Sequence, residues 1–154
     1  MENTQDKVRS LWVPLRNMNL LLPNLAVAEI GSYRTPDPLP NGPDWLLGTI
    51  KWRGINIPVL SLEALCGIKA PSNPVFSRLM IINSVRADST VSHYAIVTAG
   101  LPGLIQFDND TARSWEASDQ EGLKCILQIG TERAAIPDLD YLQAMLEQQF
   151  NRAA

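Results

Sequence analysis

The chain has 154 residues, 45% of them hydrophobic and 19% charged, enough apolar material for a packed domain and too much for a disordered tail. Thirteen Lys and Arg against sixteen Asp and Glu give a net charge of −3, with no basic run; this argues against nucleic acid as a partner, since phosphate neutralisation supplies most of that affinity. One histidine and two widely spaced cysteines, Cys66 and Cys125, are too few for a structural zinc site, and no cofactor is implied.

The first seven residues are polar and are expected as a tail ahead of one domain over residues 8–150. No run of about 18 apolar residues occurs, so no direct membrane insertion is expected. With no apolar signal segment at the start, a cytoplasmic protein with reduced thiols is expected.

Eleven prolines and nine glycines cut the chain into short segments, the pattern of an all-β domain with frequent turns. Residues 11–15 read as a first strand, with Pro14 suggesting a sheet edge or a bulge. Residues 19–22 and 25–30 follow as two more. Residues 35–44 hold four prolines and an Asn-Gly pair and read as a long rigid surface loop. Residues 45–52 and 55–60 form a hairpin about the turn Arg53-Gly54, with Ile55, Ile57 and Val59 on one face. Ser61 then caps a short helix over residues 62–66, which Gly67 ends.

The second half repeats the style. Residues 79–83 and 94–98 are apolar runs of buried-strand length, paired across a polar hairpin loop. Residues 104–107 form another strand, and residues 123–129 and 132–136 a last hairpin about Gly130-Thr131. Pro137-Asp138 opens a terminal helix with Leu139, Leu142, Leu146 and Phe150 at helical spacing, and Asp138 and Asp140 in its first turn. The total is about ten strands, one short internal helix and one C-terminal helix.

Chemistry is scarce. No nucleophile elbow, phosphate loop or dinucleotide fingerprint occurs. Asp108-Asn109-Asp110 starts like a calcium loop, but Ala112 and Arg113 stand where a ligand and a glycine are needed, so it reads as a turn. His93 is the one group suited to acid–base work near neutral pH, yet no orienting partner can be named for it. Cys66 and Cys125 read as packed small hydrophobes. Glu29 lies in an apolar strand, and alternation places it on the face of Leu25 and Val27. It is either exposed there or partly buried with a cationic partner; Arg53 is a natural partner, although an arginine at a turn usually faces water. No enzyme is expected.

The segment Gly48-Thr49-Ile50-Lys51-Trp52-Arg53-Gly54-Ile55-Asn56-Ile57-Pro58-Val59-Leu60-Ser61-Leu62 resembles the central signature of CheW-like domains, G-x-[IV]-x-[LW]-R-G-x-x-[IV]-P-[VI]-[IVL]-[DNS]-L. Upstream, Val27-Ala28-Glu29-Ile30 resembles the family's V-x-E-I segment, and later strands fall in the family's order over nearly the whole chain. The chain departs from the pattern at residues 98–103, which lack the usual aspartate, at Ser61, where Asp is common, and at Glu63, where a basic residue is common.

The resemblance implies two intertwined five-stranded SH3-like barrels around one core, without an active site. It implies a non-enzymatic adaptor for bacterial chemotaxis or motility. Such an adaptor couples the chemoreceptor's cytoplasmic tip to a sensor histidine kinase by binding the kinase's own CheW-like regulatory domain, and a pilus-linked pathway fits as well as a flagellar one. It also implies Val27, Glu29 and Arg53 as receptor-side contacts, with Glu29 and Arg53 paired. Two other readings stand beside it: a diverged CheW-like module without kinase coupling, for which exposed strand edges make weak self-association easy, and a small hydrolase using His93 with a serine.

Overall fold

The structure is a computed structural model that describes residues 8–16, 18–67, 76–107 and 112–151. The polar residues 1–7 and the calcium-like Asp108–Asp110 stretch therefore lie outside the described residues. Among the described residues, eleven strands and two helices follow in order: β1 (Val8–Pro14), β2 (Asn19–Pro23), β3 (Val27–Ser32), β4 (Leu46–Trp52), β5 (Ile55–Leu60), α1 (Leu62–Leu65), β6 (Arg78–Asn83), β7 (His93–Thr98), β8 (Gly103–Phe107), β9 (Ala112–Ala117), β10 (Leu123–Ile129), β11 (Glu132–Pro137) and α2 (Leu139–Asn151).

They form two sheets. One has six strands in the order β8-β1-β2-β11-β10-β9, the other five in the order β3-β6-β7-β5-β4. The architecture is that expected from the sequence, mostly β with a terminal helix, and its two sheets are consistent with two SH3-like barrels. The strand missing from the sequence reading is β9, Ala-Arg-Ser-Trp-Glu-Ala. Its composition carries little β preference, and pairing with β10 makes it a strand.

In the five-stranded sheet, alternate residues of β6 and β7 point to opposite faces, and both faces are buried. Leu79, Ile81, Ala95 and Val97 join Ile50, Trp52, Ile57 and Val59 in one cluster. Met80, Ile82, Tyr94 and Ile96 join Leu11, Val13, Leu20, Leu22, Leu142 and Leu146 in a larger one between the sheets and α2. Burial on both faces explains why residues 79–82 and 94–97 read as continuous apolar runs and not as alternation. β4, at the sheet's edge, does alternate: Leu46, Gly48, Ile50 and Trp52 are buried, while Leu47 and Thr49 are half-buried and Lys51 is exposed.

The edges of the five-stranded sheet, β3 and β4, curl toward each other. Arg34, just past β3, donates from Nη1 to the Lys51 carbonyl at 2.9 Å, and Arg53, just past β4, pairs with Glu29. A sheet whose edge strands meet in this way is closing on itself. The outer edge of β4 is also paired in part: Asp37 exchanges two backbone hydrogen bonds with Thr49, at 2.8 and 3.0 Å. That close approach needs Gly48, whose φ is +143° and where a Cβ would lie 2.0 Å from the Asp37 carbonyl oxygen. The proline-rich loop thus bridges to β4 through Asp37.

Three local expectations are corrected. Leu25 is not in a strand. It sits in a short 3-10 turn over residues 24–26, 89% exposed, because Pro23 and Asn24 turn the chain before β3 starts at Val27. Pro14 does not mark a sheet edge, since β1 lies between β2 and β8. Pro14 is the last residue of β1 and pairs only with Asn19 of β2, past the end of the β8 pairing, so its missing N–H is not needed there. Asp138 is the cap of α2, not part of its first turn: its Oδ1 accepts the Tyr141 N–H at 3.1 Å. The short helix matches its signals, with Ser61 Oγ accepting the Ala64 N–H at 3.1 Å.

Candidate partner-binding site

The site starts at the hairpin turn between β4 and β5. Arg53 and Gly54 both have positive φ, 48° and 82°, as a two-residue turn of the I′ hairpin type demands. Glycine meets this freely; arginine does not, and a non-glycine residue there is uncommon. The turn stands Arg53 off the end of the sheet. Its guanidinium lies 4.6 Å from the centre of the Trp52 ring, within cation–π range. Its Nη2 donates to Glu29 Oε1 at 3.0 Å.

Glu29 reaches that position through an irregularity in β3. Val27 pairs with Ile82 and Glu29 with Ile81, so Ala28 is an extra residue on the β3 side. Such a bulge re-aims the side chains around it. Val27 packs against the larger core cluster, while the Glu29 side chain stays 42% exposed and that of Arg53 66%. The two alternatives left open for Glu29 therefore merge: it is paired with a cation, and the pair faces solvent. In high dielectric such a pair contributes about 0–1 kcal/mol to stability. The structure brings Glu29 and Arg53 together and places Val27 one register step along β3.

Two members of the cluster were not read as part of a partner-binding surface: Trp52, and His93, which the sequence offered only as the base of a small hydrolase. The His93 ring centre lies 4.7 Å from that of Trp52, with the planes at 49°, and His93 Nδ1 is 3.1 Å from Ser92 Oγ. Burial, and then the positive charge of Arg53, hold the imidazole below its usual pKa of 6.5. β4 reaches β7 only through the parallel pairing of β5 with β7, a long-range register that no local spacing reveals. Ser92 stands within hydrogen-bond distance of His93, but the charged group acting on the imidazole is a cation, whereas a general base is oriented and stabilised by a carboxylate. Among the described residues no group of three or more His, Cys, Asp or Glu gathers to hold a metal ion. Cys66 and Cys125 are free and half-buried, and burial pushes both thiols up, away from the thiolate form. No described helix is long and apolar enough to cross a membrane.

The rim formed by the start of β3, the ends of β4 and β6 and the starts of β5 and β7 thus carries one exposed ion pair on an aromatic platform. Such a surface suits recognition by contact and charge. Comparison with known proteins places this architecture. A solved structure of the scaffolding protein TtCheW from Thermoanaerobacter tengcongensis matches with a TM-score of 0.71 and 18% identity, over 86% of this chain and 89% of that one. A chemotaxis protein CheW from Rhizobium meliloti (strain 1021) is 32% identical over 63 residues, 41% of this chain and 40% of that protein. A probable chemotaxis protein CheW from Rhizobium etli is 32% identical over 62 residues, 40% of this chain and 39% of that protein. The chain therefore spans, in these matches, about two fifths of the length of each curated relative. The model of the CheW-like domain matches residues 9–146, nearly everything from β1 through most of α2, and on that match the chain belongs to the CheW-like domain family.

Proposed function

We propose that this chain is a non-enzymatic, cytoplasmic adaptor of a bacterial chemosensory system, folded as one domain over residues 8–150. It joins the CheW-like regulatory domain of a sensor histidine kinase to the cytoplasmic tip of a chemoreceptor, with Val27, Glu29 and Arg53 on the receptor side. Holding both partners at once raises the effective concentration of each for the other, which is how an adaptor acts without chemistry. The observation that carries this reading is the Glu29–Arg53 ion pair, 3.0 Å long and exposed at the rim of a CheW-like domain. It is worth little to stability where it stands, so a charge pair held there at a costly backbone angle is better explained by recognition.

A binding titration tests it. The purified chain is titrated with the regulatory domain of the chemosensory kinase from the same cell, with and without a receptor-tip fragment. Saturable binding to the kinase domain, joined by the fragment in a ternary complex and with the receptor arm lost in Arg53→Glu, is the expected result. Receptor binding without kinase binding would replace it with a CheW-like module that has no coupling role.

A further inference from the structure

His93 has no part in the function proposed above, yet it lies against the platform of the ion pair. Its ring is 4.7 Å from Trp52, the same indole carries Arg53 at 4.6 Å, and Arg53 reaches Glu29 at 3.0 Å. One run of contacts therefore crosses the barrel rim from β7 through the β4–β5 turn to β3. We propose that His93 is a positioning residue for Arg53. The neutral imidazole supports Trp52 and leaves the guanidinium to Glu29, whereas the imidazolium repels the guanidinium on the ring they share. The rim is then sensitive to pH. The use of this device in signalling rests on the adaptor reading; the coupling itself rests on the contacts alone.

The surroundings of His93 keep the coupling specific. Among the described residues, Arg53 is the one charged group that acts on the imidazole. Ser92 offers a hydroxyl and β6 places Asn83 opposite. A shallow cavity beside it is lined by Asn56 and Pro58 of β5 and by Phe150 of α2. Both causes acting on His93, burial and the Arg53 charge, favour its neutral form, so the change of state falls on the acid side of neutrality. Coupling is reciprocal: whatever Arg53 does to the protonation of His93, protonation of His93 does to the placement of Arg53. The family pattern admits Leu or Trp at position 52. A leucine would offer neither partner a ring face, which makes Trp52 the connecting part and Trp52→Leu a control that severs it.

His93 is the sole histidine of the chain, so its ring protons can be followed by NMR across a pH titration of the intact protein without assignment ambiguity. Arg53→Gln, an exposed substitution that leaves the core alone, is expected to move the His93 midpoint upward. A midpoint that does not move overturns the proposal, and this arm needs no partner. In a second arm, affinity for a receptor-tip fragment is measured from pH 7.5 to 5.5. The wild type is expected to weaken about two- to fivefold, the scale of an exposed charge pair, while His93→Gln and Trp52→Leu stay flat. Parallel loss in the wild type and in His93→Gln would overturn it. Absence of binding at every pH would count against the adaptor reading, with the NMR arm still deciding the coupling.

Discussion

At Arg53 a strained backbone and two weak attractions coincide. The left-handed φ of 48° costs an arginine about 1–2 kcal/mol. The cation–π contact with Trp52 offsets about 0.5–1 kcal/mol at an exposed site, and the Glu29 pair about 0–1 kcal/mol. The sum lies near zero, and since a double-mutant cycle with Glu29→Gln and Arg53→Gln reads the exposed pair alone, its stability coupling is expected below about 1 kcal/mol, read by urea unfolding. A coupling of about 3 kcal/mol would mean that the pair is buried in solution. Glu63 is the contrasting case. Its side chain on α1 is 1% exposed, with one oxygen accepting the Arg16 backbone N–H and the other without a partner among the described residues. Burial, partly offset by that hydrogen bond and by the Arg16 charge, raises its pKa above 4.5. A carboxyl with a raised folded pKa contributes stability that is present below the unfolded value and is lost as pH rises through the folded one. Glu63→Gln is therefore expected to be more stable than the wild type at pH 7–8, with the gap closing on acidification, in thermal unfolding scans. Both residues stood out in the sequence, Arg53 through its motif and Glu63 as a departure from it. Their burial did not, because exposure depends on which distant strand arrives to cover them.

Between β4 and the loop before it, one glycine decides how two elements meet. The Asp37–Thr49 backbone exchange fits only because position 48 has no side chain. Gly48→Ala is expected to cost about 2–5 kcal/mol, adding backbone strain to a clash with main-chain atoms that cannot rotate away; chemical denaturation of the purified variant measures it. The signature glycine was legible as a motif position, but its reason was not. Prolines and an Asn-Gly pair announced a loop, and nothing local announced that the loop returns to bridge to a strand. The elements read correctly were those whose partners are near in sequence, such as the β4–β5 and β10–β11 hairpins. Those read incompletely, β9 and the end of β1, are defined by their neighbours in the sheet.

At the scale of the molecule, the larger of the two core clusters interlocks strands from both sheets with α2. Leu142 and Leu146 of α2 are both buried, at 1% and 0% exposure, in that cluster. Leu146→Ala is expected to cost about 2–5 kcal/mol and to speed amide hydrogen exchange in β1 and β7 together; faster exchange confined to one sheet would mean that the barrels unfold separately. The class of fold was legible from turn density and apolar run length. The interlocking was not, since it lies in two parallel pairings, β2 with β11 and β5 with β7. That topology has a consequence on the ribosome. The strands of the five-stranded sheet lie within residues 27–98, so it has every strand in hand while translation is still under way. The opening hairpin of β1 and β2 has no such fortune. The Asn19 amide ends bonded to the Arg133 carbonyl, and Leu20 pairs with Ala135. β1 and β2 can pack on the five-stranded sheet through the shared cluster, but their own sheet is complete only when β11 has been made.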